Sequence, residues 1–345
     1  MKMRFRAMAL AGCAALALGV AACGSDDGGG GGGSSTTAKG KPIKVGLVTD
    51  IGGLNDRSFN HLAYVGLQRA QKELGVKGRV LTSKSAADYV PNLTTLAQQR
   101  YDLIIPVGFL MADSTATVAK QVPTAKFSIV DFPAAGLKGK PENVEGLLFK
   151  EQEAGYLAGY LAGLYAKDNN IKVVSSVGGQ KIPPVDHYIA GYEAGAKAAD
   201  PGIKTLHGYS QNFVAQDKCK EIALNQIAKG SKVVFQVAGQ CGLGALDAAK
   251  EKGAEGIGVD ADQGYLGSHV ITSAQKKVDV AVFNAIKAVQ DGNFQGGQDV
   301  INDLNNDGVG YGTLGSAGKK YKAQIDKVRQ DIIDGKITDI PDTVK

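Results

Sequence analysis

The residues of this chain best suited to directed polar contacts recur at one kind of place, just after a short apolar run. Asp50 ends the first run, with Asn55, Asp56, Ser58 and Phe59 following; Phe109 follows another, and Asp131 ends the next. Later in the chain Tyr188 follows the Ile182-Pro-Pro-Val185 segment, and Gln236 and Gly239 close a further run. Asp260 and Asp262 close one more, and Lys276 opens a helical stretch. A carboxylate only accepts hydrogen bonds, whereas an amide both donates and accepts, so together they can bracket vicinal hydroxyls and ring nitrogens. Facing aromatic rings clamp a flat ring between them. The set therefore suits a polar, planar, uncharged solute. Each member has a plainer role by itself: Asp50 as a turn residue, Asp56 or Ser58 as a helix cap, Phe59 and Tyr188 as core, Asp262 and Lys276 as solvated surface. Their joint placement is what points to a cleft.

Other chemistries lack their residues. The four His (His61, His187, His207, His269) have no partner at ligand spacing and no Cys/His cluster, so no metal site is expected. No Gly-x-x-x-x-Gly-Lys-Ser/Thr loop and no Gly-x-Ser-x-Gly elbow occurs. Gly239-Gln-Cys-Gly-Leu-Gly244 is only loosely like a dinucleotide loop, with its order reversed, and reads as a tight strand-to-helix turn. A non-enzymatic binder without cofactor is the expectation.

The elements that must carry these residues alternate. Apolar runs at 43–50, 79–82, 102–107 and 126–131 read as strands, separated by helices at 58–74, 90–99 and 115–121. The pattern restarts with a helix at 152–167. Strands at 172–176, 204–209, 232–237 and 256–260 then alternate with helices at 186–199, 218–229 and 244–252. A strand at 270–273 and helices at 277–290 and 319–335 follow. Runs apolar on both faces between amphipathic helices signal parallel sheets, giving an α/β protein of two Rossmann-like lobes with a cleft between them. In open α/β sheets, ligands bind at the carboxyl ends of strands, where the polar set lies. The expected division is 42–150 with 266–305 as lobe 1, and 151–265 with 306–345 as lobe 2, the chain re-crossing before it ends.

The 345 residues suffice for about two domains. The formal charge of +5 owes three of its charges to Lys2, Arg4 and Arg6, so the body gives no electrostatic reason to expect nucleic acid. Those charges precede an apolar stretch from Ala7 to Ala22, and residues 1–22 read as a secretory signal. Val20-Ala-Ala-Cys23 resembles a bacterial lipobox, with Cys23 the lipidated new N-terminus, and plain secretion as the alternative. Residues 23–41, with six consecutive glycines, read as a flexible tether. Cys13 leaves with the signal. Cys219 and Cys241 remain, as a disulfide suited to an exported protein or as two buried thiols.

From Val48-Thr-Asp-Ile-Gly-Gly-Leu-Asn-Asp-Arg-Ser-Phe-Asn60 onward, the sequence resembles the basic membrane protein family of bacterial lipoproteins, whose best-understood members are purine nucleoside receptors. Gly178-Gly-Gln-Lys-Ile-Pro-Pro-Val185, Ile189-Ala-Gly-Tyr-Glu-Ala-Gly195, Val234-Phe-Gln-Val-Ala-Gly239 and Ile257-Gly-Val-Asp-Ala-Asp-Gln263 extend it, as do Thr272-Ser273 with Lys276. The resemblance implies a type I periplasmic-binding-protein fold and capture of a solute, a purine nucleoside, for the permease and ATPase of an ABC importer. A ligand-sensing regulatory lipoprotein, or a receptor for another small polar solute such as a sugar, are the alternatives. The same resemblance places Asp50 and Asn55 at the purine edge and Phe59 and Tyr188 as its stacking partners. It puts Asp260 at the ribose diol, Gly239 near the sugar, and Lys276 as a donor, with Asp131 and Phe109 at neighbouring strand ends. It also implies a monomer that meets the membrane only through its anchor. Cys219 and Cys241, expected at helix starts after adjacent strands, would tie two loops on the ligand side.

Overall fold

The computed structural model describes residues 42–345; the signal, the tether and Cys23 lie outside the described residues. The first half contains β1 (Lys44–Val48), α1 (Phe59–Leu74), β2 (Lys77–Leu81), α2 (Tyr89–Gln98), β3 (Leu103–Pro106), α3 (Ala112–Gln121), β4 (Lys126–Val130) and β5 (Val144–Phe149). The second contains α4 (Glu151–Asp168), β6 (Val173–Gly178), α5 (Pro183–Ala199), β7 (Lys204–Tyr209), α6 (Gln216–Ala228), β8 (Ser231–Val237), α7 (Gly239–Glu251), β9 (Glu255–Asp260) and β10 (Val270–Lys276). After these come α8 (Val278–Gln290), β11 (Asp299–Asn302), β12 (Val309–Tyr311) and α9 (Lys322–Ile333).

Two six-stranded sheets result, β11-β5-β4-β3-β1-β2 and β12-β10-β9-β8-β6-β7. They have the same order, strand for strand, and all pairs are parallel except β10 with β12. Buried strands such as Leu103–Pro106 carry apolar side chains on both faces because helices cover both. In the second lobe α4 and α5 lie backbone to backbone. A Cβ on Gly159 would stand 2.0 Å from the Tyr192 carbonyl oxygen, and one on Gly195 2.1 Å from that of Tyr156. Glycine is required there by proximity.

The chain passes between lobes three times: at Lys150, between β10 and α8, and between β11 and β12. These passages lie side by side. Lys150 N–H donates to the Asn302 carbonyl at 2.9 Å, and Lys277 N–H to that of Gly308 at 2.9 Å. The Lys150 ammonium also pairs with Asp303 at 3.3 Å.

Several expectations change. Residues 270–276 belong to the second sheet rather than to lobe 1, so the second passage falls at 277 instead of 266. Lys276 ends a strand and does not open a helix. The Gly239–Gly244 segment is the first turns of α7 rather than a turn before it. Gly244 is packed so closely that a Cβ would meet the Gln216 carbonyl oxygen at 2.0 Å. Cys219 and Cys241 do form a disulfide, across a separation of 22 residues. The strands preceding their helices, β7 and β8, are not adjacent, since β6 lies between them.

Candidate functional site

Between the carboxyl ends of the two sheets lies a cavity whose empty space, its open mouth included, is about 610 Å³. Its walls include Asp50, Phe59, Phe109, Asp131, Tyr188, Gly239, Asp260 and Lys276. The structure brings these eight together. Asn55 it does not: that residue is exposed and lines a separate recess with Arg57 and Gln216. The loop turns it outward, and Asn60, in the first turn of α1, takes the place beside Asp50.

Each lobe supplies corresponding positions. Asp131 directly follows β4 and Asp260 ends β9, the same strand of each sheet, and both adopt left-handed backbone (φ 68° and 58°). Asp tolerates that region better than most residues but at some cost, and such strain clusters at functional sites. Gly108 (φ 118°) and Gly239 (φ 55°) stand two residues past β3 and β8. A Cβ on Gly108 would lie 3.1 Å from Asp50 Oδ2 and 3.4 Å from the Phe59 ring.

The acidic wall is tightly wired. Asp50 Oδ1 accepts from Asn60 Nδ2 at 2.7 Å and from Gly52 N–H at 3.0 Å. Asp56 accepts from the N–H groups of Ser58, Asn60 and His61 at 3.0, 2.7 and 3.1 Å, fixing the start of α1. Ser58, the residue before that helix, does not cap it. Its hydroxyl crosses to the other lobe and donates to Asp260 Oδ2 at 2.7 Å. The Tyr188 hydroxyl donates to Asp260 Oδ1 at 3.2 Å. Lys276 Nζ reaches Asp131 at 2.7 and 2.9 Å and Glu151 at 3.1 Å. It also lies 4.9 Å from the centre of the Phe59 ring and 5.9 Å from that of Tyr188. His187 Nδ1 lies 3.0 Å from the other oxygen of Glu151.

Burial sets the protonation of this wall. It pushes Asp50 up to about 6, against the pull of Asn60 and Gly52. It pushes Asp131 up to about 7, opposed by Lys276 and reinforced by Glu151. Asp260 and Asp56 are raised by burial too. Burial would raise Glu151 as well, but Lys276 and His187 outweigh it and hold it low. Burial would discharge Lys276, yet Asp131, Glu151 and Asp260 keep its proton on. The one lysine of the cavity wall is thus spent on protein carboxylates. What remains open to a solute is an acceptor-rich wall, with Asp50 Oδ2 among its atoms, facing aromatic rings.

Glu151, Asn60 and Phe213 were not singled out from sequence. Phe213 lines the cavity from a loop, and no periodicity marks a loop residue. Glu151 follows β5, itself missed; recognising that strand would have exposed a carboxylate at its carboxyl end. Among the described residues no group of His, Cys, Asp and Glu is arranged to hold a metal ion.

Two α/β lobes of identical strand order around an acidic, aromatic cleft define a solute-binding protein of the periplasmic-binding-protein type. A solute-binding protein of an ABC transporter system from Aeropyrum pernix K1 has a similar structure, with TM-score 0.78 and 28% identity over 87% of this chain and 94% of that one. The myo-inositol binding protein of Caulobacter, at 15% identity and TM-score 0.60 over 83% of this chain and 97% of that one, shares the fold. The chain belongs to the ABC transporter substrate-binding protein PnrA-like family (Bmp), whose model matches residues 43–343. It is similar to the ABC transporter nucleoside-binding protein BmpA of Lactococcus lactis, 36% identical over 86% of this chain and 88% of the relative. A lipoprotein of Pyrococcus horikoshii is 36% identical over 80% of this chain and 70% of its own length. The protein is therefore an ABC transporter substrate-binding protein, a receptor rather than an enzyme.

Proposed function

We propose that the protein is a lipid-anchored receptor on the outer face of the cell membrane that captures a purine nucleoside for an ABC importer. One observation carries the choice of ligand: four aspartates line the cavity, and its lysine is already paired with Asp131 and Glu151. A solute entering such a site brings hydrogen-bond donors and no negative charge. A nucleoside does so, and a nucleotide does not. The rings of Phe59 and Tyr188 supply the flat faces that a base requires, each worth about 0.5–1.5 kcal/mol beyond area burial. Asp50 meets the base edge and Asp260 the sugar hydroxyls, with charge-assisted bonds roughly twice as strong as neutral ones. The Lactococcus relative, named for nucleoside binding, supports the same reading, and the lipoprotein relative supports the anchor at Cys23. The receptor acts as a monomer, its closed lobes forming the surface that the permease meets.

The test is a thermal-shift screen of refolded, ligand-stripped protein against nucleosides, their 5′-monophosphates, free bases, pentoses and amino acids. Nucleosides are expected to raise the melting temperature and the monophosphates to leave it unchanged. Stabilisation by a pentose or an amino acid, with none by any nucleoside, overturns the assignment. For the anchor, Cys23→Ala should move the protein from the membrane fraction to the medium.

A further inference from the structure

The wall of the cavity on the side of the second sheet rests on a loop with little of its own to hold it. Residues 211–218 are exposed or half-buried, and Phe213 and Ala215 are the half-buried apolar side chains among them. Asn212 ties the turn internally, its side-chain oxygen accepting from Val214 and Ala215 N–H at 2.8 and 2.7 Å. Yet this loop supplies Phe213 to the cavity, and its neighbour across the wall, the start of α7, supplies Gly239 and Gln240. Phe213 stands so close to the second lobe's first strand end that a Cβ on Gly179 would meet its ring at 2.3 Å. The two segments are joined by one backbone bond, Cys241 N–H to the Phe213 carbonyl at 3.0 Å, and by the Cys219–Cys241 disulfide.

The bridge lies in a cluster of small side chains: Ala223, Ala238, Ala245, Ala248 and Ala249 with Val177 and Val234. Farther along, α6 and α7 are held together by Ile222, Leu224 and Ile227 packed against this cluster, by Lys220 pairing with Asp247 at 2.7 Å and Glu251 at 3.0 Å, and by the close approach of Gly244 to the Gln216 carbonyl. At the level of Phe213 the loop is tied to α7 by the Cys241 N–H bond and the covalent link. We propose that the Cys219–Cys241 disulfide is a positioning element of the binding site, holding Phe213 against Gly239 and Gln240 so that this wall is formed before the solute arrives. A loop already ordered loses less freedom on binding, so its affinity contribution comes through pre-organisation. The role rests on the reading of the cleft as the ligand site; its structural half, the ordering of the loop, does not.

The experiment compares wild type with Cys219→Ser/Cys241→Ser, each with and without Phe213→Ala, using inosine as the probe. An alanine pair at the two cysteines, matching the surrounding alanines, guards against a folding defect specific to serine. Loss of the bridge is expected to raise the inosine Kd about tenfold, mainly through faster dissociation. Phe213→Ala should then cost about tenfold with the bridge present and at most about twofold without it, since contacting groups couple. A purely structural bridge gives equal factors in both backgrounds, and that result overturns the proposal. Hydrogen exchange of ligand-free protein supplies the second readout: amides of 211–217 and 239–241 should exchange faster without the bridge, while the middle turns of α6 and α7 keep their protection. Unchanged exchange in those two segments also overturns it. If wild type binds no inosine, the nucleoside reading fails, and the exchange result alone decides the proposal.

Discussion

Asp50→Asn should make the empty receptor more stable and a worse binder, with a pH dependence that reveals the cause. Burial raises the Asp50 carboxyl from 3.8 to about 6, so the folded protein holds this proton more tightly than the unfolded chain does. Between those two values the native state binds more protons, and stability falls as pH rises through the window. At pH 7.5, above both, the full penalty applies: about two units at 1.36 kcal/mol each, or about 3 kcal/mol. Near pH 4.5 only about 1 kcal/mol remains, because the native carboxyl is by then protonated. Asn is nearly isosteric and its oxygen can still accept from Asn60 Nδ2 and Gly52 N–H, so it removes the charge and keeps both bonds. The variant should therefore melt about 5 °C higher than wild type at pH 7.5, with that gap shrinking to a degree or two at pH 4.5. Its affinity for inosine at pH 7.5 should fall at least about tenfold, as a charge-assisted acceptor is lost. Calorimetric melting of ligand-free protein at both pH values, with isothermal titration at the higher, measures all three. Equal or lower stability of the variant at pH 7.5, or a gap that does not narrow on acidification, would refute the argument from burial.

Lys276→Met leaves Asp131 and Glu151 buried without their shared cation and should cost about 3–5 kcal/mol in urea unfolding; a loss below about 1 kcal/mol would show that the carboxylates neutralise each other by sharing a proton. Gly159→Ala places a methyl group where the Tyr192 carbonyl oxygen lies 2.0 Å away. Because backbone must move to admit it, about 1–3 kcal/mol of stability should be lost, read from the same titration. Ser58→Ala removes a hydroxyl that links one lobe to Asp260 of the other. Small-angle scattering of the ligand-free variant should give a larger radius of gyration than wild type, and an identical curve would rule out a latch at this position.

Much of the architecture was legible because buried parallel strands leave a local trace. Val45, Leu47 and Val48 are fully buried, and such uninterrupted apolar runs mark strands covered on both faces. The strand ends were legible for the same reason, and with them Asp50, Asp131 and Asp260. What failed was whatever depends on a distant partner. β5 was missed because Glu145 interrupts its apolar run, a charge made acceptable by the Ser128 hydroxyl 2.5 Å away on β4. The strand β10 seemed to stop at Ser273 because Lys276 reads as surface when its partners, 145 and 125 residues earlier, are out of view. β11 and β12, of four and three residues, are too short to carry a period. Asn55 and Asn60 are both polar residues near the start of α1, and only the course of the loop decides that one faces solvent and the other Asp50.

The three passages between lobes limit how the receptor can move. One connecting strand would act as a swivel, leaving the halves free to twist as well as to part. Three lying abreast, laced together at Lys150, Asn302, Lys277 and Gly308, act as a door hinge: rotation about the line they share is soft, while twist and sliding would stretch one strand against another. The jaws can then return to the same register at each closure, so that Asp131 meets Lys276 and Ser58 meets Asp260 without a search. Neither half is a continuous stretch of chain, so cutting the gene at any single point cannot yield an intact lobe.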